Sequence, residues 1–95
     1  MQPFYVYILL CSDDSYYIGH TDDIEKRIAE HVLGNYCGYT AKRLPIQVVY
    51  LQEFMTRGEA IEIEQQLKQW SRKKKAALIS GDWNGLKQLA KKKFK

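Results

Sequence analysis

The sequence predicts an α+β fold, a three-stranded antiparallel sheet flanked by helices in the order β-β-α-β-α-α. Three observations predict it. Phe4 to Leu10 is an unbroken β-branched and aromatic run, and a short polar turn joins it to a second run of that kind. Apolar residues then recur at Ile24, Ile28 and Val32, the period of an amphipathic helix. After a third strand-like run, Thr56 and Glu59 make a T-x-x-E signal that opens another helical pattern.

Each element follows from local chemistry. The first run has no polar alternation, so it reads as a strand buried on both faces and central in its sheet. Cys11-Ser12-Asp13-Asp14-Ser15 is turn chemistry, and Tyr16-Tyr17-Ile18-Gly19 returns as the second strand of a hairpin. Thr21-Asp22-Asp23 supplies capping side chains and first-turn acids for the first helix, which Gly34 stops. Residues 34–45 read as a loop. It carries Tyr36, Tyr39, Lys42 and Arg43, a mix suited to stacking and phosphate contact. Ile46 to Phe54 is the third strand. Ala60, Ile63, Leu67 and Trp70 line the inner face of the helix that follows. Ser71 caps a further helix from Arg72 to Ser80, ended by Gly81. Asp82 to Gly85 reads as a turn, and a last basic helix spans about Leu86 to Lys93.

At 95 residues the chain makes one domain, 1–95, with the basic C-terminal helices of 71–95 as its extension. Its 45% apolar and 13% aromatic content argues against disorder. No apolar run approaches the roughly 20 residues that span a bilayer. No basic n-region follows Met1, and the two cysteines, Cys11 and Cys37, match no zinc spacing. The expectation is a reducing cytoplasm with free thiols and no membrane partner. The net charge of +4 is divided unevenly. Residues 1–67 hold five Lys/Arg against ten Asp/Glu, while residues 68–95 hold ten against Asp82 alone, giving −5 and +9. A basic tail on an acidic body suits a polyanionic partner, or else serves solubility.

A few residues break this pattern. Glu64 falls at the edge of the buried stripe of its helix, where a carboxylate needs a partner or a metal; Arg27 or Lys68 could pair with it. Arg27 and His31, at i and i+4, share one flank of the first helix. Arg27 could instead be a surface charge paired with Asp23 or Glu30, and His31 a half-buried aromatic. Of the seven tyrosines, Tyr5, Tyr7 and Tyr17 lie in the hairpin strands, with Tyr16 adjacent. Cross-strand aromatic pairing would explain them, but buried phenol hydroxyls also seek partners.

Tyr5-Val6-Tyr7, then Tyr17-Ile18-Gly19, then Arg27, then a helical Glu64 resembles the GIY-YIG nuclease superfamily. His31 and the stretch Glu64-x-x-x-Lys68-x-Trp70-Ser71-Arg72 are similar to its small stand-alone bacterial branch, the YhbQ-like proteins. The resemblance covers about residues 3–86 and extends to the GIY-YIG fold. Tyr5 stands where the first glycine of the family motif would be, a position that supplies no functional group. Asn84 is not assigned the role of the family's late asparagine.

The resemblance implies metal-dependent hydrolysis of a nucleic-acid phosphodiester by an endonuclease, with DNA favoured over RNA. The alternative is a nucleic-acid-binding module with little or no turnover. Glu64 would hold a single Mg²⁺ or Mn²⁺, mostly ligated by water. Arg27 would bind phosphate oxygens, Tyr17 would be the general base, and Tyr7 would orient the water or Tyr17. His31 would be a proton relay and the fifth catalytic candidate. His20, Lys42, Arg43, Lys68, Arg72, Lys73, Lys74 and Lys75 would contact nucleic acid. No protein partner is implied.

Overall fold

A computed structural model describes residues 3–81. The elements are β1 (Phe4–Leu10), β2 (Tyr16–Thr21), α1 (Ile24–Val32), α2 (Gly38–Ala41), β3 (Gln47–Phe54), α3 (Arg57–Gln69) and α4 (Arg72–Ser80). The expected turn at 82–85 and the last basic helix lie outside the described residues. Among those described, no helix is long and apolar enough to cross a membrane.

The sheet is antiparallel with order β2-β1-β3. β1 is central, as its unbroken apolar run predicts, and Val6, Tyr7, Ile8 and Leu9 are all buried. The hairpin closes through Asp13, whose Oδ1 accepts from Ser15 N at 3.0 Å, while Asp14 takes a positive φ of 67°. Registers Tyr7↔Gly19 and Leu9↔Tyr17 put Tyr5, Tyr7, Leu9, Tyr17 and Gly19 on one face. Val6, Ile8 and Ile18 point to the other, where they meet Ala60, Leu67 and Leu78 in the main core. α3 and α4 therefore cover one face, and α1 with α2 covers the tyrosine face.

Caps set the helix starts. Asp23 accepts from Lys26 N, Thr56 from Glu59 N at 3.2 Å, and Ser71 from Lys74 N at 3.2 Å. Gly81, at φ 76°, closes α4 in the left-handed region.

Two expectations need correction. The stretch 34–45 is not all loop: α2 forms within it, capped by an extended Cys37, and buries Thr40. In α1, Val32 is 55% exposed and His31 is fully buried. At about 100° per residue, Ile24, Ile28 and His31 make the tighter stripe, and Val32 falls off its side.

Candidate functional site

The site is built around β2, the edge strand. Gly19 faces Tyr7 across the register, and its missing side chain makes the room. A Cβ there would lie 2.5 Å from Tyr7 Oη and 2.7 Å from Cζ. The Tyr7 phenol thus lies over the β2 backbone and reaches α1, where its hydroxyl meets His31 Nε2 at 3.0 Å. His31 Nδ1 meets Thr40 Oγ1 at 2.8 Å, and that hydroxyl lies 3.4 Å from Cys37 Sγ. Tyr7, His31 and Thr40 are all fully buried.

Tyr17 packs its ring edgewise on His31, at 5.1 Å between centroids, and lies 6.4 Å from Tyr7 and 5.9 Å from Tyr39. It is half-buried and lines a cleft of about 330 Å³ with Tyr16, Ile18, Tyr39, Lys68 and Lys75. Arg27 lies 3.9 Å above the Tyr36 ring, donates from Nη1 to the His20 carbonyl at 3.3 Å, and pairs with Glu30 at 3.5 Å. Of Asp23, Glu30 and Glu64, Glu30 is the carboxylate that pairs with Arg27.

Glu64 comes from the opposite helical layer. One carboxylate oxygen meets His20 Nδ1 and the other meets Lys68 Nζ at 2.9 Å. Its cationic partner is Lys68 rather than Arg27. His20 joins the two halves, since its backbone oxygen holds Arg27 and its ring holds Glu64. Tyr7, Tyr17 and His31 thus pack together, and Arg27 and Glu64 meet through His20, while Arg27 lines a separate hollow with Asp22, Asp23, Lys26, Glu30 and Tyr36. A family model for the GIY-YIG catalytic domain matches residues 3–77.

The chain belongs to the GIY-YIG family. Its relatives include a UPF0213 protein of Staphylococcus saprophyticus, 46% identical over 84% of this chain and 98% of the relative. Another, from Listeria innocua, is 45% identical over 80% of this chain and 84% of its own. Two solution NMR structures resemble the fold. A UPF0213 protein of Bacillus halodurans matches at TM-score 0.56 and 41% identity, covering 82% of this chain and 83% of the other. A protein of E. faecalis matches at TM-score 0.60 and 35% identity, covering 85% of this chain and 86% of the other. GIY-YIG membership places the chain in a nuclease superfamily that acts on nucleic acid.

The electrostatics of this cluster follow from burial. Burial pushes the Tyr7 phenol up to about 12, although Arg27 beside it pulls the other way. Burial, with Tyr7 and Cys37 as neighbours, pushes Tyr17 up as well. Arg27 thus acts on the Tyr7 phenol rather than on Tyr17. His31 is lowered by burial and then by Arg27, so its resting ring is neutral. Cys37 is opposed by burial, but hydrogen bonds from Thr40 and from the Tyr17 hydroxyl bring it below the ordinary thiol value.

GIY-YIG nucleases are generally metal-dependent. The donor chemistry here fits a hydrated Mg²⁺ or Mn²⁺ held by one hard carboxylate. Among the described residues no cluster of three or more His, Cys, Asp or Glu could enclose an ion, so water would supply most ligands. Both Glu64 oxygens are engaged, but the Lys68 side chain is 55% exposed and can swing aside.

The remaining candidates are scattered. Arg43 stacks at 3.9 Å on Tyr39, pairs with Asp13 and donates to the Tyr39 carbonyl, so much of its fork is committed. Lys42 and Lys73 are exposed. Arg72 lies over the Tyr16 ring at 4.6 Å. Lys74 departs from the expected basic surface: it is 5% exposed, with its ammonium 4.1 Å from the Trp70 ring. Lys75 reaches the Tyr17 cleft. Thr40 and Cys37 also belong to the site, yet a threonine and a cysteine in a polar stretch carry no periodic signal before α2 is known.

Proposed function

We propose that this chain is a metal-dependent endonuclease that hydrolyses nucleic-acid phosphodiesters, with DNA favoured, and that residues 1–95 form one cytoplasmic domain. The observation that carries the reading is that a cation, Arg27, and a carboxylate, Glu64, meet at His20, and that Lys68, the ion-pair partner of Glu64, lines the cleft of the half-buried Tyr17. A purely binding surface has no use for a carboxylate among phosphates.

Glu64 would hold the ion, whose chemistry when bound is Lewis-acid stabilisation of the leaving oxygen. Arg27, stacked on Tyr36 and tied to the β2 backbone, is pre-aimed to neutralise charge developing on the phosphate. Tyr17 lines the cleft and is the tyrosine placed to meet the attacking water. Its phenol is protonated at rest, so its work as a base depends on the positive charge of the assembled complex. Tyr7 and His31 are buried behind it and act by orienting their neighbours. Lys68, Arg72, Lys73 and Lys75, with Lys42 and Arg43, would contact the backbone of the nucleic acid.

The second reading, a binding module with little turnover, draws on the ion pair that occupies Glu64. Purified protein with labelled single-stranded, duplex and branched DNA and RNA, with and without Mg²⁺ or Mn²⁺, separates the two. The proposal expects cleavage only with metal, and strongest on a DNA substrate. Binding without cleavage under every metal condition would favour the module.

A further inference from the structure

The buried hydrogen-bond chain behind Tyr17 has a direction. Tyr7 is fully buried and its phenol stays protonated, so it has one proton to donate. The Arg27 guanidinium acts on the same phenol electrostatically, and a guanidinium can only donate. Among the described residues, the hydrogen-bond partner of the Tyr7 hydroxyl is His31 Nε2, 3.0 Å away, and the Tyr7 proton is directed there while that nitrogen accepts. A neutral imidazole that accepts at Nε2 carries its proton on Nδ1. Among the described residues, the hydroxyl that meets Nδ1 is that of Thr40, at 2.8 Å. Having accepted there, Thr40 turns its own proton to Cys37 Sγ at 3.4 Å. Each group in the series donates to the next, from Tyr7 to the sulfur.

We propose that Thr40 is a positioning residue of the nuclease site. It fixes His31 in the Nδ1–H tautomer, which draws the Tyr7 proton inward and leaves the Tyr7 oxygen lone pairs facing Arg27. The proposal rests on the nuclease reading above, in that Arg27 is the group finally held in place. It assigns α2 a function: the short helix brings one buried hydroxyl to the back of His31. Reversing the tautomer would point an N–H at Tyr7, turn the Tyr7 proton toward Arg27, and set two donors against each other.

The test compares wild type, Thr40→Val and Thr40→Ser. Long-range ¹H–¹⁵N spectra of the imidazoles report the tautomer of His31 directly, with His31→Gln used to assign it against His20. Wild type and Thr40→Ser should show a pyrrole-type Nδ1 and a pyridine-type Nε2 at His31. Thr40→Val should lose that pattern toward Nε2–H. In cleavage assays Thr40→Val should lower kcat roughly 10- to 100-fold, the size of effect seen when a hydrogen-bond partner that orients a metal-bound histidine is removed. KM should stay within about threefold, since transition-state charge is what Arg27 is placed to meet, and Thr40→Ser should recover most of kcat. A wild-type His31 protonated at Nε2 overturns the proposal without any variant, so a failure of Thr40→Val to fold would not shelter it. A changed tautomer with unchanged kcat overturns the positioning role. Absence of cleavage by wild type would remove the nuclease reading and with it the role toward Arg27, while the spectra would still decide whether Thr40 sets the tautomer.

Discussion

A methyl group at Gly19 would come within 2.5 Å of the Tyr7 hydroxyl, closer than packed side chains approach. Gly19→Ala should therefore push the phenol off β2 and away from His31. We expect a loss of about 1–3 kcal/mol in stability from overpacking, with nuclease activity falling further than stability alone explains. Urea unfolding and cleavage rates on the same sample would check both. His31 gives a second prediction. Burial and Arg27 lower its pKa in the folded state, so the folded protein binds that proton less tightly than the unfolded chain does. The stability this contributes is present above the ordinary histidine value of about 6.5 and is lost as pH falls below it through the folded value. Thermal melts at about pH 8 and about pH 5 should show a larger drop for wild type than for His31→Gln. Equal drops would mean that other groups carry the acid sensitivity. Among single residues, Tyr17, Arg27 and Glu64 are legible because motif order names them. The depth of His31 is not, since a histidine in a helix carries no hydropathy signal that distinguishes a half-exposed ring from a buried one.

At the scale of elements, caps and apolar periods locate the three longer helices, α1, α3 and α4. T-x-x-E before α3 and Ser71 with Gly81 around α4 are local chemistry that tertiary contacts do not override. The face each helix presents is harder to read. α1 turns its Ile24, Ile28 and His31 stripe to the sheet because a hydrogen bond to Tyr7 fixes its rotation, and no sequence pattern encodes that bond. α2 stays hidden because four residues are too few for a period to emerge. In α4, a run of like charges reads as uniform, yet the helix turn places Lys74 inward on Trp70 while Lys73 stays in solvent. The two kinds of lysine should behave differently. Lys73→Gln together with Lys75→Gln should flatten the log–log salt dependence of duplex binding by about 0.9 for each phosphate left unneutralised. Lys74→Gln should leave that slope unchanged and cost about 1–2 kcal/mol of stability, because glutamine cannot make the cation–π interaction with Trp70. Titrations at several salt concentrations, with a melt of each variant, distinguish these outcomes.

Across the whole molecule, the sheet divides the work. One face holds the apolar core under α3 and α4, and the other holds Tyr7 and Tyr17 against Arg27 and His31 of α1, with α2 beside them. The β2 edge is where the layers come within reach of each other, which is why residues far apart in sequence meet at His20. The β-β-α-β-α-α order and the central position of β1 are legible from hydropathy alone. The bridge through His20 is not, because alternation puts its side chain on the core face under α3 without saying which α3 residue it meets. The charge asymmetry fits the same division: an acidic body carries the site and a basic segment follows it.

The central claim is that Glu64 serves a metal-dependent cleavage reaction at this edge rather than a structural ion pair. Glu64→Gln keeps the shape and removes the charge. The most direct measurement is single-turnover cleavage of a labelled DNA by wild type and Glu64→Gln across a Mg²⁺ titration, with binding measured in metal-free buffer. The account predicts that cleavage by the variant falls by about 10²–10⁴-fold at every Mg²⁺ concentration, while metal-free binding and the melting temperature stay close to wild type. Cleavage that persists at the wild-type rate in Glu64→Gln, or that requires no metal in wild type, would contradict it.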